Sequence, residues 1–138
     1  MKGLIVATHG NLSRELVRSA EMVAGPIEGC HTWTLNPEDN VTENEEQMIE
    51  MINLFHEEDD IFIMLDLFGG TPSNLILKNT KGKNVKILTG VNLPMILEFA
   101  MSRDSLPAEE LMEACEDAGK YGIKNINKML QKGGRNNG

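Results

Sequence analysis

Two stretches bring reactive side chains to the ends of apolar runs. "LIVATHGNLS" finishes a β-rich run at Thr8-His9-Gly10, and "IFIMLDLFGGTPSN" finishes a second run at Asp66, followed by Gly69, Gly70, Thr71, Pro72 and Ser73. A histidine at a strand end can serve as nucleophile or as acid and base. A solitary histidine is more often a hydrogen-bonded structural residue, and Asp66 read alone could simply cap a turn. Together they gain meaning, because a carboxylate that accepts a proton from one ring nitrogen fixes the tautomer and leaves a lone pair on the other. His31 at the amino end of the "HTWTL" run and His56 near the end of an acidic helix lack such a setting.

"GGTPSN" suggests where a charged group could rest. Gly69 and Gly70 allow positive φ and close backbone approach, Thr71 is a good N-cap, and Pro72 suits the first helical position. Amide hydrogens at such a helix start, with the hydroxyls of Thr71 and Ser73, could hold an anion such as a phosphoryl group. An ordinary strand-to-helix turn would use the same residues. The lysine of a P-loop is missing, which disfavours a nucleotide triphosphate. A third stretch, "GVNLPM", offers Asn92, Leu93, Pro94 and Met95 either as a rim for a partner or as core. An oriented imidazole beside a phosphate cradle suggests a phosphoryl carrier. Phosphoryl transfer is achieved largely by in-line positioning and charge stabilisation, so neither cofactor nor metal is required when donor and acceptor are both histidines.

The elements that must position these residues follow from periodicity. Leu4 to Ala7 reads as a strand, then Leu12, Leu16, Val17, Ala20, Val23 and Ala24 recur at helical spacing up to Gly25-Pro26. "HTWTL" alternates as a strand and Asn36-Pro37 breaks it. Thr42 with Glu45 reads as a capping box for a helix through Met48, Ile49, Ile52 and Phe55. "IFIML" is a strand buried on both faces, Pro72 to Asn79 a short helix, "VKILTG" a strand, Pro94 to Ser102 a helix, and Pro107 to Ala118 another that Gly119 ends. This alternation predicts an α/β fold, an open doubly wound, mainly parallel sheet in the order 2-1-3-4 with helices on both faces. In such sheets ligands bind beyond the carboxyl ends of the strands, where all three unusual stretches would meet. In "YGIKNINKML", Ile123, Ile126 and Met129 fit a helix, while "GIKNI" would also serve as an extra antiparallel edge strand. One domain over residues 1–130 is expected, with 131–138 as a flexible tail or linker stub.

Composition narrows the function classes. The 138 residues and 41% hydrophobic content suit one compact core. A net charge of -8 argues against nucleic acid, which needs a concentrated basic face. The acidic runs read as solvated helix faces, with steering of a partner as the other use. No apolar stretch reaches the roughly 20 residues of a membrane helix and none resembles a signal-peptide core, so a cytoplasmic protein is expected. Cys30 and Cys115 lack the spacing and neighbours of a disulfide, redox or zinc motif and read as buried small hydrophobes.

"THG", "AEMVAG", "LDLFGGTPSN" and "GVNLPMILE", in this order across nearly the whole chain, resemble the enzyme IIA component of the mannose-type sugar phosphotransferase system. The resemblance implies that His9 takes a phosphoryl group on Nε2 from the histidine-containing phosphocarrier protein, with Asp66 orienting Nδ1. It further implies transfer to a histidine of a IIB component, which serves a membrane IIC/IID pair, and a homodimer that exchanges a C-terminal strand, here "GIKNI". The related phosphocarrier subunit of a dihydroxyacetone kinase also uses a histidine after strand 1, and a regulatory dimer that only senses phosphorylation would use the same residue. A flavodoxin-like module would want ring-sandwiching aromatics, which make up only 4% of the chain. A response-regulator receiver would want acidic residues where His9 stands. No residue selects one sugar.

Overall fold

The computed structural model describes residues 1–137 apart from 37, 39 and 68; the side chains of 71, 72 and 134–137, inside helices, are also left aside. The elements run β1 (Lys2–His9), α1 (Leu12–Ala24), β2 (Cys30–Leu35), α2 (Val41–Ile52), β3 (Asp60–Leu65), α3 (Gly70–Asn79), β4 (Val85–Leu88), α4 (Leu93–Ser102), α5 (Ala108–Tyr121) and α6 (Ile126–Asn137). The four strands are all parallel in the order β2-β1-β3-β4, as the alternation of elements predicts.

The strand alternation builds two cores. Leu4, Val6, Phe62 and Met64 point to one face, where Val17 and Ala20 of α1, Ile96 and Phe99 of α4 and Leu111 and Cys115 of α5 cover them. Ile5, Ala7, Ile61, Ile63 and Leu65 point to the other, against Met48 and Ile52 of α2 and Leu75 and Ile76 of α3. Because β1 and β3 are covered on both faces, their sequences are continuous apolar runs. Cys115 is buried as expected, whereas Cys30 is only half-buried against the same core; desolvation pushes both thiols up to about 12, which keeps them neutral.

Several local expectations change. Helix α2 is capped by Asn40, whose side chain accepts from the amides of Thr42 (2.8 Å) and Glu43 (3.4 Å). The short Asn side chain reaches the first-turn donors, which frees Glu45 to bind Lys78 (2.9 Å) and Asn79 (3.2 Å) across the α2–α3 contact. Part of the Asn36-Pro37 break lies outside the described residues. Helix α3 starts from an N-cap at Gly69, ahead of the expected Thr71. Helix α5 runs through Gly119, which serves close approach instead of termination: a Cβ there would stand 2.6 Å from Met95 Cγ.

Beyond α5, "GIKNI" forms no strand; Asn125 caps α6 by accepting from the Lys128 amide at 3.0 Å, so the helical spacing of Ile126 and Met129 prevails. Helix α6 thereby crosses the expected boundary at residue 130. The sheet has no fifth strand among the described residues, and β4 forms its outer edge. No helix among the described residues is long and apolar enough to cross a membrane.

Candidate functional site

His9 is the last residue of β1 and Asp66 follows the last residue of β3, its direct neighbour in the sheet. One carboxylate oxygen of Asp66, Oδ2, accepts from both the His9 main-chain N–H (3.0 Å) and His9 Nδ1 (3.0 Å), while Oδ1 accepts from the Leu67 N–H at 2.9 Å. Partial burial tends to raise the Asp66 pKa, but the His9 amide, the ring and the Leu67 amide together outweigh it and hold the carboxyl below its ordinary value. An ionised carboxylate only accepts, so Nδ1 carries the hydrogen. Nε2 of the neutral ring then keeps its lone pair, and the His9 side chain is 50% exposed while that of Asp66 is 14% exposed. The ring thus turns its free nitrogen toward an exposed edge, an arrangement that can do nucleophilic chemistry.

Behind His9 the turn into α1 is fixed from within. The prospective cap, Asn11, makes no side-chain cap bond. Instead Thr8 Oγ1 accepts from the Ser13 N–H at 2.7 Å, and the Ser13 hydroxyl donates to the Trp33 carbonyl at 3.2 Å. Both hydroxyl residues are fully buried, so this chain ties β1, α1 and β2 together beneath the imidazole. Gly10 takes φ 59°, which lets the chain reverse directly after His9, and its N–H donates to the Leu35 carbonyl. The anchoring role of Thr8 and Ser13 was signalled only by polar residues at otherwise apolar positions.

Of the expected phosphate-binding residues, Gly69 and Gly70 have φ of 96° and 77° and form the turn that follows Asp66 into α3. The Thr71 hydroxyl lies outside the described residues. Ser73 departs from expectation: it is buried, its Oγ accepts from the Gly69 N–H (2.9 Å), and it lies within reach of the Gly69 carbonyl (3.2 Å) and the Leu67 carbonyl (3.5 Å). Its hydroxyl closes the turn from inside and is spent there.

The third stretch does reach the same end of the sheet, because the Val91 N–H donates to the Leu65 carbonyl at 2.9 Å. Its expected rim is only partly available. Asn92 caps α4 through the Met95 amide (3.2 Å) and donates to the Gly119 carbonyl (3.0 Å), and Met95 is buried in the core. Packing against Gly119 accounts for both, which leaves Leu93 and Pro94 half-buried at the surface. Two apolar residues are exposed in the flanking turns: Leu67, directly after Asp66, at 64%, and Leu12, which helical spacing put on the apolar face of α1, at 46%, because it is the first residue of that helix. His31 packs edge-on against Phe55, and the His56 N–H donates to Asp59, both at the opposite end of the sheet.

Comparison with known proteins gives a consistent picture. A model of the family described as PTS system fructose IIA component matches residues 3–116. The mannose-specific EIIAB component of the phosphotransferase system (PTS) in Escherichia coli K12 is 30% identical over 127 residues, covering 88% of this chain and 38% of that protein. The chain thus spans well under half of that relative. The PTS system fructose-specific EIIA component of Bacillus subtilis is 23% identical over 133 residues, covering 96% of this chain and 91% of the relative. The crystal structure of EIIA from Streptococcus agalactiae superposes with a TM-score of 0.83 at 24% identity, covering 93% of this chain and 99% of that one, and shows the same fold.

Proposed function

Since this chain belongs to the mannose-type EIIA family of the sugar phosphotransferase system, we propose that His9 is its phosphoryl-accepting residue, with Asp66 as the group that aims it. The observation that carries this reading is the bond from His9 Nδ1 to Asp66 Oδ2, which directs the lone pair to Nε2 on an exposed edge. In the forward step the Nε2 lone pair attacks phosphorus in line. The bond from phosphorus to the donor's histidine nitrogen breaks, and its electron pair returns to the donor's imidazole. The hydrogen stays on Nδ1 and donates to Asp66, whose negative charge stabilises the ring as it gains positive character. In this reading Gly70 and Thr71, which open α3, supply main-chain donors at the positive end of that helix to the transferred group. Donation repeats the same displacement with a second histidine as nucleophile.

The donor in this reading is the histidine-containing phosphocarrier protein and the acceptor a IIB component. The chain then works in the cytoplasm, beside a membrane IIC/IID pair that selects the sugar. It acts as a homodimer, and three features support that. The β4 edge borders a groove of about 550 Å³ lined by Leu77, Ile87, Leu88, Met95 and Ile123. Ile126, Met129 and Leu130 of α6 are exposed. Residues 120–138 hold five of the 13 Lys and Arg and none of the 21 Asp and Glu, so the C-terminal segment complements the acidic body of a second copy.

Incubation with enzyme I, the phosphocarrier protein and phosphoenolpyruvate, read by intact mass before and after acid, tests the role. One acid-labile phosphate on His9 is expected. Failure to gain mass, or a gain that survives acid, contradicts it.

A further inference from the structure

We propose that the outer edge of β2 receives an extended peptide of a partner protein as an added strand. This edge lies across the sheet from the β4 groove and makes no use of His9, so the proposal stands apart from the phosphocarrier reading. The hydrogen-bond phase of β2 identifies the occupant. The Leu4 N–H donates to the Gly29 carbonyl at 3.0 Å and the Gly10 N–H to the Leu35 carbonyl at 2.8 Å, with an unbroken parallel register between them. In such a ladder every second residue turns both main-chain groups to the same neighbour. The set facing β1 is therefore the odd-numbered one. Thr32 and Thr34 turn their N–H and C=O groups outward, where no strand pairs with them among the described residues. Donors and acceptors alternating along an edge, from residues about 6.6 Å apart, match another extended main chain. Proline, lysine or a bulge blunts many such edges, and Cys30–Leu35 has none of these.

The flanks set the side-chain pattern of that peptide. A cavity of about 370 Å³ runs along the edge, lined by Thr32, Trp33 and Thr34 together with residues of α1 and α2. Trp33 and Leu35 belong to the core on the α2 face, so Thr32 and Thr34 turn their side chains to the α1 face. On the α1 side stands Arg14, exposed and without an ion pair among the described residues, since Glu15 beside it pairs with Arg18 at 3.7 Å. On the α2 side Leu54 is 64% exposed and Met51 half-buried, while Glu50 repels a second acid. Trp33 supplies a further sign of unused capacity. It is 2% exposed, and its indole nitrogen is the one buried side-chain polar atom without a partner among the described residues. The peptide that fits alternates an apolar residue toward α2 with an acidic residue toward Arg14.

Trp33 is the only tryptophan of the chain, so intrinsic fluorescence reports from this edge. The probe is a capped hexapeptide alternating valine and aspartate, titrated into the full chain to millimolar concentration. Two control peptides carry N-methyl groups on the valines or on the aspartates. In an edge-bound strand only one of these sets points its N–H groups at β2. The wild-type chain should bind the unmethylated peptide with a saturable fluorescence change. One methylated peptide should bind at least about tenfold weaker and the other within about threefold. Thr32→Pro removes an outward N–H and leaves the ladder to β1 intact, so it too should weaken binding about tenfold. Nitrogen-15 spectra should show the Thr32 and Thr34 amides shifting as peptide is added. Absence of binding overturns the proposal, as does equal affinity for all three peptides or a set of shifts confined to β4. If Thr32→Pro fails to fold, the methylated pair decides.

Discussion

Two aspartates bracket β3, and each fastens it to β1. Before the strand, Asp59 accepts from the Met1 ammonium at 3.1 Å through Oδ1 and from the His56 N–H at 2.9 Å through Oδ2. After the strand, Asp66 accepts from the His9 amide, the His9 ring and the Leu67 amide. Donors hold both carboxyls below their ordinary values: at Asp59 the His56 amide and then the ammonium, and at Asp66 its three donors against the upward pull of burial. The fastening is alike, but the partner differs. An ammonium bound to a carboxylate has only donors to offer, whereas an imidazole bound through one nitrogen keeps a lone pair on the other. One clamp is therefore confined to stability, and the second can do chemistry.

Breaking the two clamps separately should separate these roles. The largest effect is expected from His9→Ala: phosphate uptake vanishes in the mass assay, while the thermal midpoint stays close to wild type because the ring is half exposed. Asp66→Asn comes next. It leaves a group of the same shape that no longer fixes the tautomer, and rapid-quench measurement should show transfer slowed by about 10–100-fold; unchanged kinetics would remove Asp66 from the mechanism.

Thr8→Val should follow. It leaves the buried Ser13 N–H without its acceptor, at a cost of about 1–3 kcal/mol in denaturant unfolding, whereas Thr8→Ser restores the bond and the stability. Equal stability of the two variants would show that the hydroxyl does not anchor the turn.

The smallest effect on transfer is expected from Asp59→Asn, which should leave the rate unchanged and alter stability against pH. A carboxyl whose folded pKa is depressed stabilises the fold above its unfolded value of about 3.9 and loses that contribution as pH falls through the lower, folded value. Thermal midpoints measured from neutral pH down into that range should therefore fall less steeply in Asp59→Asn than in wild type. An identical pH profile would contradict the assignment.

The parallel sheet, its order and the His9–Asp66 pair were legible because continuous apolar runs report strands covered on both faces, and strand ends follow from where such runs stop. Features decided by a contact distant in sequence were not. Ser73 looked like an open hydroxyl, yet the left-handed turn at Gly69 and Gly70 folds back so that the Gly69 amide takes it. Gly119 looked like a helix stop, yet Met95 requires the space of a missing Cβ. Thr42 and Glu45 had capping-box spacing, but Lys78 and Asn79 compete for the glutamate from another helix. Leu12 had the helical spacing of a core residue yet is half exposed, and Leu67 carried no signal, since exposure of an apolar residue is settled only once the turns around it are built.

The most direct test of the oriented imidazole is a phosphorus–nitrogen NMR correlation on the phosphorylated chain labelled with nitrogen-15 at histidine. The expected result is phosphorus bonded to Nε2 of His9 with Nδ1 still carrying its hydrogen. Phosphorus on Nδ1, or on His31 or His56, would contradict the account.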